Sequence, residues 1–174
     1  MCYIFFYIQR RYVRLVSERV GCKLDYCIQK LEPRDFDKLG NIWDMSKHTG
    51  ISKIWHDQLL SGNRIIYVYA ESNELIGECD LVFDMNDSDY TIADKRIYLS
   101  RLIVKEENRK CGIGQILLDY VFDCAKALGF EEISLGVNID NIGARWLFEK
   151  NGFTNVIFVG EDSDGKYVKL LKTL

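Results

Sequence analysis

The sequence predicts an α+β domain built on a mixed, mostly antiparallel sheet, and three observations carry that prediction. Residues 65–70 and 75–83 form two strand-like apolar runs on either side of a Ser72-Asn73 turn, the pattern of a hairpin. Between residues 113 and 128 apolar side chains return every third or fourth position, as on a helix that lays one stripe against a sheet. Strand-like and helix-like segments then alternate toward the C-terminus, so the whole order reads β-α-α-β-β-β-α-β-α-β-β.

The elements follow in turn. No repeat, low-complexity tract or linker interrupts the 174 residues, which suit one ordinary domain; we divide them into an N-terminal extension, 1–23, and a domain, 24–174. Residues 26–31 have strand character. Pro33 and the acids around it suit a first helical turn, and the helix is expected to run through Leu39, Ile42, Trp43 and Met45 until Gly50. Ser52 is placed to cap a second helix, which Gly62 ends. After the hairpin an acidic loop (Asp84, Asp87, Asp89, Asp94) leads to a strand at 97–104. The long helix closes at Gly129, a strand follows at 132–137, and a helix at 142–150 stops at Asn151-Gly152. Residues 153–159 then pair with 167–171 across a Gly/Asp loop.

Composition excludes several classes. With 48% apolar and 28% charged residues the chain can bury a sizeable core, so disorder is excluded. Six cysteines without a C-x-x-C pair and only two histidines, His48 and His56, lack the spacing of a metal cluster, and no metal is expected. Unpaired thiols suit a reducing compartment, hence a cytoplasmic location. Residues 1–8 are apolar, but Arg10, Arg11 and Arg14 follow rather than precede them, the wrong order for a signal peptide, and the run is too short to span a bilayer. That strip is a candidate partner surface, with a homodimer as one form. Net charge is −3; residues 1–23 hold five basic groups and one acid, which leaves 18 − 25 = −7 for the rest. An acidic domain argues against nucleic acid and is compatible with a cationic amine as partner.

The chemistry-bearing constellation is a strand, then Arg109-Lys110-Cys111-Gly112-Ile113-Gly114, then the start of the long helix. Helix N-termini carry unpaired N–H groups and partial positive charge, and glycines let an anion approach them. Taken alone, Gly-x-Gly marks a structural turn more often than a site. No Gly-x-x-x-x-Gly-Lys-Ser/Thr is present, and Leu117 occupies the third glycine position of a dinucleotide fingerprint.

The neighbours add specificity. Leu102-Ile103-Val104 precedes the loop, and a second block reads Asn141-Ile142-Gly143-Ala144, Phe148-Glu149-Lys150 and Gly152-Phe153. From about residue 24 onward the chain thereby resembles the GCN5-related N-acetyltransferase (GNAT) superfamily. The resemblance implies a three-layer fold with helices on both faces of a sheet splayed between the fourth strand (97–104) and the fifth (132–137). It also implies acetyl-CoA as cosubstrate, a small-molecule or peptide amine as acceptor, and an acyltransferase activity. Backbone at Leu102 and Val104 would pair with the pantetheine arm. Amides from Lys110 through Cys111, Gly112, Ile113 and Gly114 to Gln115 would take the pyrophosphate, with charge from Arg109 and Lys110. Asn141 would touch the coenzyme arm, and an N–H at Val104 or Ile103 would face the oxyanion.

Two departures from the family pattern stand out. Phe148 occupies the place of the tyrosine that commonly protonates the leaving thiolate, so it can only pack against the thioester. Tyr98 stands where histone-modifying members carry a glutamate base; Glu78 and Asp80, expected as half-solvated acids on the preceding strand, are the alternatives. These departures keep open a non-catalytic CoA-binding or regulatory module. His48 and His56 would border the acceptor site, where helix packing is their ordinary role, and Trp43, Trp55 and Trp146 are most simply core. Cys111 is a spacer whose amide matters. The acids at 84–94 and 161–164 would form a collar for a cationic amine.

Overall fold

The computed structural model describes residues 13–19 and 22–174, so the apolar strip at 1–8 lies outside the described residues. The sheet has eight strands: β1 (Val13–Arg19), β2 (Cys22–Lys30), β3 (Arg64–Glu71), β4 (Glu74–Val82), β5 (Arg96–Val104), β6 (Glu132–Asn138), β7 (Asn155–Asp162) and β8 (Gly165–Thr173). Their order is β1-β2-β3-β4-β5-β6-β8-β7, and every pairing is antiparallel except β5 with β6. Three α-helices complete the fold, α1 (Thr49–Ser61), α2 (Ile113–Ala127) and α3 (Ile142–Lys150).

Strand β3 explains the layering. Ile65, Tyr67 and Tyr69 enter one core with Leu117, Leu118 and Val121 of α2, while Ile66, Val68 and Ala70 enter another with Phe36, Leu39 and Leu59. A strand buried on both faces has no solvent side, which is why its sequence runs apolar without alternation. Each fully buried Leu or Val contributes about 1.5–3 kcal/mol, so the α2 stripe alone fixes that helix to the sheet.

The region before β3 differs from expectation. A 3-10 helix spans Pro33–Asn41 and a second covers Met45–His48, where one α-helix was expected. Asp44 explains the break: its backbone is extended and its carboxylate accepts from Ser46 N and Oγ, a local turn that competes with helix. Helix α1 therefore starts at Thr49, with Gly50 and Ser52 inside it, and Ser52 Oγ donates to Thr49 O rather than capping. Upstream, β1 pairs with β2 from Val13↔Ile28 to Arg19↔Cys22, so the boundary expected at residue 24 falls within β2.

The feature that positions the site is the divergence of β5 from β6. They pair from Arg96↔Glu132 only as far as Leu99↔Leu135. Beyond that, β5 stays with β4 through Val104 and β6 stays with β8 through Asn138. The register of β4 against β5 steps from Asp80↔Arg101 to Leu81↔Leu99, which leaves Ser100 as an extra residue. A bulge bends its strand, and this one lies where the two strands part.

Candidate active site

A cleft of about 920 Å3 occupies the opening between β5 and β6. Its walls include Leu102, Ile103 and Val104 of β5, Arg109, Lys110, Gly112, Ile113, Gly114 and Gln115 at the start of α2, and Asn141 and Phe148 of α3. Of the donor-site residues named from sequence, all but Cys111 line it. Cys111 is exposed, its thiol 3.5 Å from Arg109 O.

Backbone direction along β5 separates the candidates. Lys105 N donates to Ile76 O, so in this register Ile103 and Arg101 also turn their N–H groups to β4. Leu102 and Val104 turn theirs the other way, into the cleft. Arg109 Nε donates to Val104 O at 3.0 Å, which independently shows that Val104 faces away from β4. Of the two oxyanion candidates, the Ile103 amide is therefore engaged in the sheet.

The start of α2 is built to leave amides free. Lys110 (φ 63°) and Gly112 (φ 87°) adopt left-handed backbone, and no side chain caps the helix. Ile116 N to Gly112 O is the first backbone bond of the turn, so the N–H groups of Ile113, Gly114 and Gln115 have no helical acceptor. Their direction and the positive end of the helix favour an anion in the cleft. The side chain of Gln115 is engaged elsewhere, exchanging hydrogen bonds with the Asn151 amide at 2.6 and 3.0 Å. Arg109 holds the end of β5 through its Nε, a positioning role the sequence did not suggest. Asn141 Oδ1 accepts from Ala144 N and so caps α3.

A polar cluster lies beneath the other side of β5. Glu78 and Asp80, expected as half-solvated, are each only 1% exposed. They sit at alternate positions of β4 and share the face of Ile66 and Val68, which the 3-10 helix and α1 cover. Arg64 Nη1 donates to Asp80 at 2.6 Å, and its other nitrogens reach Gln58 Oε1 and Ser100 Oγ. Glu78 pairs with Arg101, whose guanidinium lies 4.2 Å from the Trp43 ring centroid and 4.8 Å from that of Trp55. Burial, and then Asp80 beside it, pushes the Glu78 carboxyl up to about 8. Burial also raises Asp80, against the pull of Arg64. Tyr98, the third base candidate, stacks at 4.3 Å on Tyr90, and burial raises its phenol above the usual value. That disfavours the phenolate a base would need.

Other expectations are extended or corrected here. Trp43 and Trp55 pack at the margin of the second core, as expected, and also cover the two arginines. Trp146 is 62% exposed, lines the cleft and has Lys150 Nζ 5.2 Å from its ring. His56 stacks on Phe36 at 4.7 Å and His48 leans on Trp43, both in packing positions. The acidic collar at 84–94 is partly spent: the buried Lys169 ammonium donates to Asp87 at 2.7 Å and to Asp89 at 3.0 Å. Among the described residues no group of three or more His, Cys, Asp or Glu could hold a metal, and no helix is long and apolar enough to cross a membrane.

The sequence reading missed Arg64, Arg101 and Ser100. Arg101 carried a signal, being a charge in the middle of a mainly apolar strand one strand away from two acids two residues apart.

Comparison with known proteins agrees with this geometry. The model of the acetyltransferase (GNAT) family matches residues 28–153. N-acetyltransferase 8 of Homo sapiens is 27% identical over 110 residues, covering 63% of this chain and 47% of that protein, so the chain spans about half the length of the curated relative it matches. A GNAT family acetyltransferase from Elizabethkingia anophelis, solved with acetyl-CoA bound, superposes with a TM-score of 0.64 at 21% identity, over 86% of this chain and 98% of that one. The ribosomal-protein-S18-alanine N-acetyltransferase from Escherichia coli gives 0.64 at 16%, over 85% and 93%. At such identities the likeness is one of fold.

Proposed function

Because the chain belongs to the acetyltransferase (GNAT) family, we propose that it is an N-acetyltransferase, transferring acetyl from acetyl-CoA to a primary amine by direct attack in a ternary complex. The observation that carries the proposal is the cleft itself, where the unpaired edge of β5 meets the uncapped start of α2. The outward backbone of Leu102 and Val104 supports a strand-like arm laid along β5, and the amides of Ile113, Gly114 and Gln115 suit its pyrophosphate. The family structure with acetyl-CoA bound supports the choice of coenzyme. The free cysteines suit a cytoplasmic setting.

Two of the three chemical needs have a residue. The Val104 N–H, free of β4, is the donor for the oxyanion. Phe148, buried and packed at 5.7 Å on Phe153, presents an apolar wall to the thioester. The thiolate leaves without a tyrosine; a thiol pKa of about 8.5 makes it a tolerable leaving group, and solvent takes the place of the acid. Glu78 in its ionised form is the base: with the carboxyl pushed up to about 8, that form grows as pH rises through about 8 and is strongly basic when present. Because Glu78 is buried, the proton reaches it through a water.

The competing reading is a CoA-binding module without turnover. The absent tyrosine and the commitment of both acids to arginines favour it. Release of free CoA thiol from acetyl-CoA across a panel of small-molecule and peptide amines separates the two. Turnover on at least one amine is expected; saturable CoA binding with no turnover on any would replace this proposal with the module.

A further inference from the structure

The neighbouring arginines of the buried cluster are used differently. All three nitrogens of the Arg64 guanidinium are occupied, by Gln58, Asp80 and Ser100. Arg101 faces Glu78 with Nε, while neither of its Nη atoms has a partner among the described residues. The indoles of Trp43 and Trp55, themselves edge-to-face at 5.5 Å, both lie against its guanidinium. What stays open is the in-plane edge bearing the two Nη atoms. Arg101 belongs to the wall of the cleft, on the strand whose backbone edge we assign to the acetyl donor.

We propose that Arg101 anchors a carboxylate on the acceptor, so that the acceptor is an amino acid rather than a simple amine; the inference rests on the N-acetyltransferase reading above. A guanidinium edge with two parallel N–H donors matches a planar carboxylate, a fit that a lysine ammonium does not reproduce. Contact with two indoles and with Glu78 holds the guanidinium in place before the ligand arrives, so little order is lost on binding. The charges agree with the assignment. Of the acids expected to attract a cation, Asp87 and Asp89 are held by Lys169; of the base candidates, Asp80 is held by Arg64. Among the β5 residues that line the cleft, Arg101 is the cation, 18% exposed at its side chain. An amino acid also keeps the ammonium that the reaction needs.

The test uses the full chain with matched triplets: each common amino acid, its methyl ester and the amine it gives on decarboxylation. Thiol release from acetyl-CoA yields kcat/KM for each, and calorimetry on the CoA complex yields acceptor affinity. For at least one amino acid the free acid is expected to exceed both its ester and its amine by about 10- to 100-fold. In Arg101→Lys and Arg101→Met that ratio falls toward one. An arginine that serves only the fold would lower acid and ester together and leave the ratio intact. Acetyl-CoA affinity of each variant, measured alongside, shows whether the domain is intact. Ratios near one throughout the wild-type panel, or a preference that survives both substitutions, overturn the assignment. Absence of turnover on every amine counts against the transferase reading instead, and the acid-to-ester ratio in binding then decides the role of Arg101 by itself.

Discussion

Gly112→Ala tests the coenzyme cradle against a built-in control. Gly112 has φ 87° and ψ −2°, and an added Cβ meets nothing within 4 Å. Gly62, at the C-terminal end of α1, has φ 80° and ψ 2° and equally open surroundings. Alanine at either position suffers only the left-handed backbone, about 1–2 kcal/mol. For a chain of this size each kcal/mol lowers Tm by about 2–4 °C, so both variants should melt about 2–8 °C lower. Only at Gly112 would the new methyl group stand where a pyrophosphate approaches the amides. Losing one charge-assisted hydrogen bond there, worth about 1.5–3 kcal/mol, weakens CoA binding by about 10- to 150-fold. Scanning calorimetry and CoA titration of the two variants give both numbers. Equal Tm losses with CoA affinity reduced only in Gly112→Ala are expected. Equal CoA affinity in both variants would refute the cradle.

Three further predictions follow from the buried groups. Arg64→Met strands the Asp80 carboxyl in a site with 1% exposure and should cost about 3–5 kcal/mol in denaturant unfolding, with a loss that grows as pH rises, because burial raises the Asp80 carboxyl and its neutral form tolerates burial. Glu78 has a folded pKa above its ordinary 4.5, so its contribution to stability is full below 4.5 and is lost as pH rises through about 8. Glu78→Gln should therefore flatten Tm against pH across that window and lower kcat by about 10²- to 10⁴-fold; parallel Tm curves would contradict the burial argument and an unchanged kcat the base assignment. Phe148→Tyr returns a hydroxyl to the cleft wall and should keep or raise kcat at saturating acetyl-CoA, and its abolition of activity would show that the thioester lies elsewhere.

Much of the fold was legible in the sequence, for identifiable reasons. Strands β3 to β6 carry strong apolar runs, and helices α2 and α3 carry apolar stripes and end at glycine turns, so local and tertiary preferences agree. Residues 33–50 misled because apolar spacing at Leu39, Ile42 and Met45 is shared by α and 3-10 helices, and the Asp44–Ser46 turn that breaks the run depends on a side-chain hydrogen bond. Strand β1 was not foreseen: its polar, Arg-containing sequence acquires strand form by pairing with β2. The donor half of the candidate site was readable since it consists of backbone amides at glycine positions in one short segment. The acceptor half was not, because it joins Arg64, Glu78, Asp80 and Arg101 from three strands under Trp43 and Trp55, and a long-range ion pair leaves no periodicity. Trp146 was misplaced for the converse reason, since helical spacing does not tell a core-facing stripe from a cleft-facing one.

Amide hydrogen exchange of the full chain with and without CoA tests the central claim most directly. The account predicts saturable protection confined to the amides of residues 110–115 and to Leu102 and Val104, with Ile103 and Arg101 already protected by β4 in the free protein. Binding that protects other segments and leaves these amides exchanging as before would contradict it.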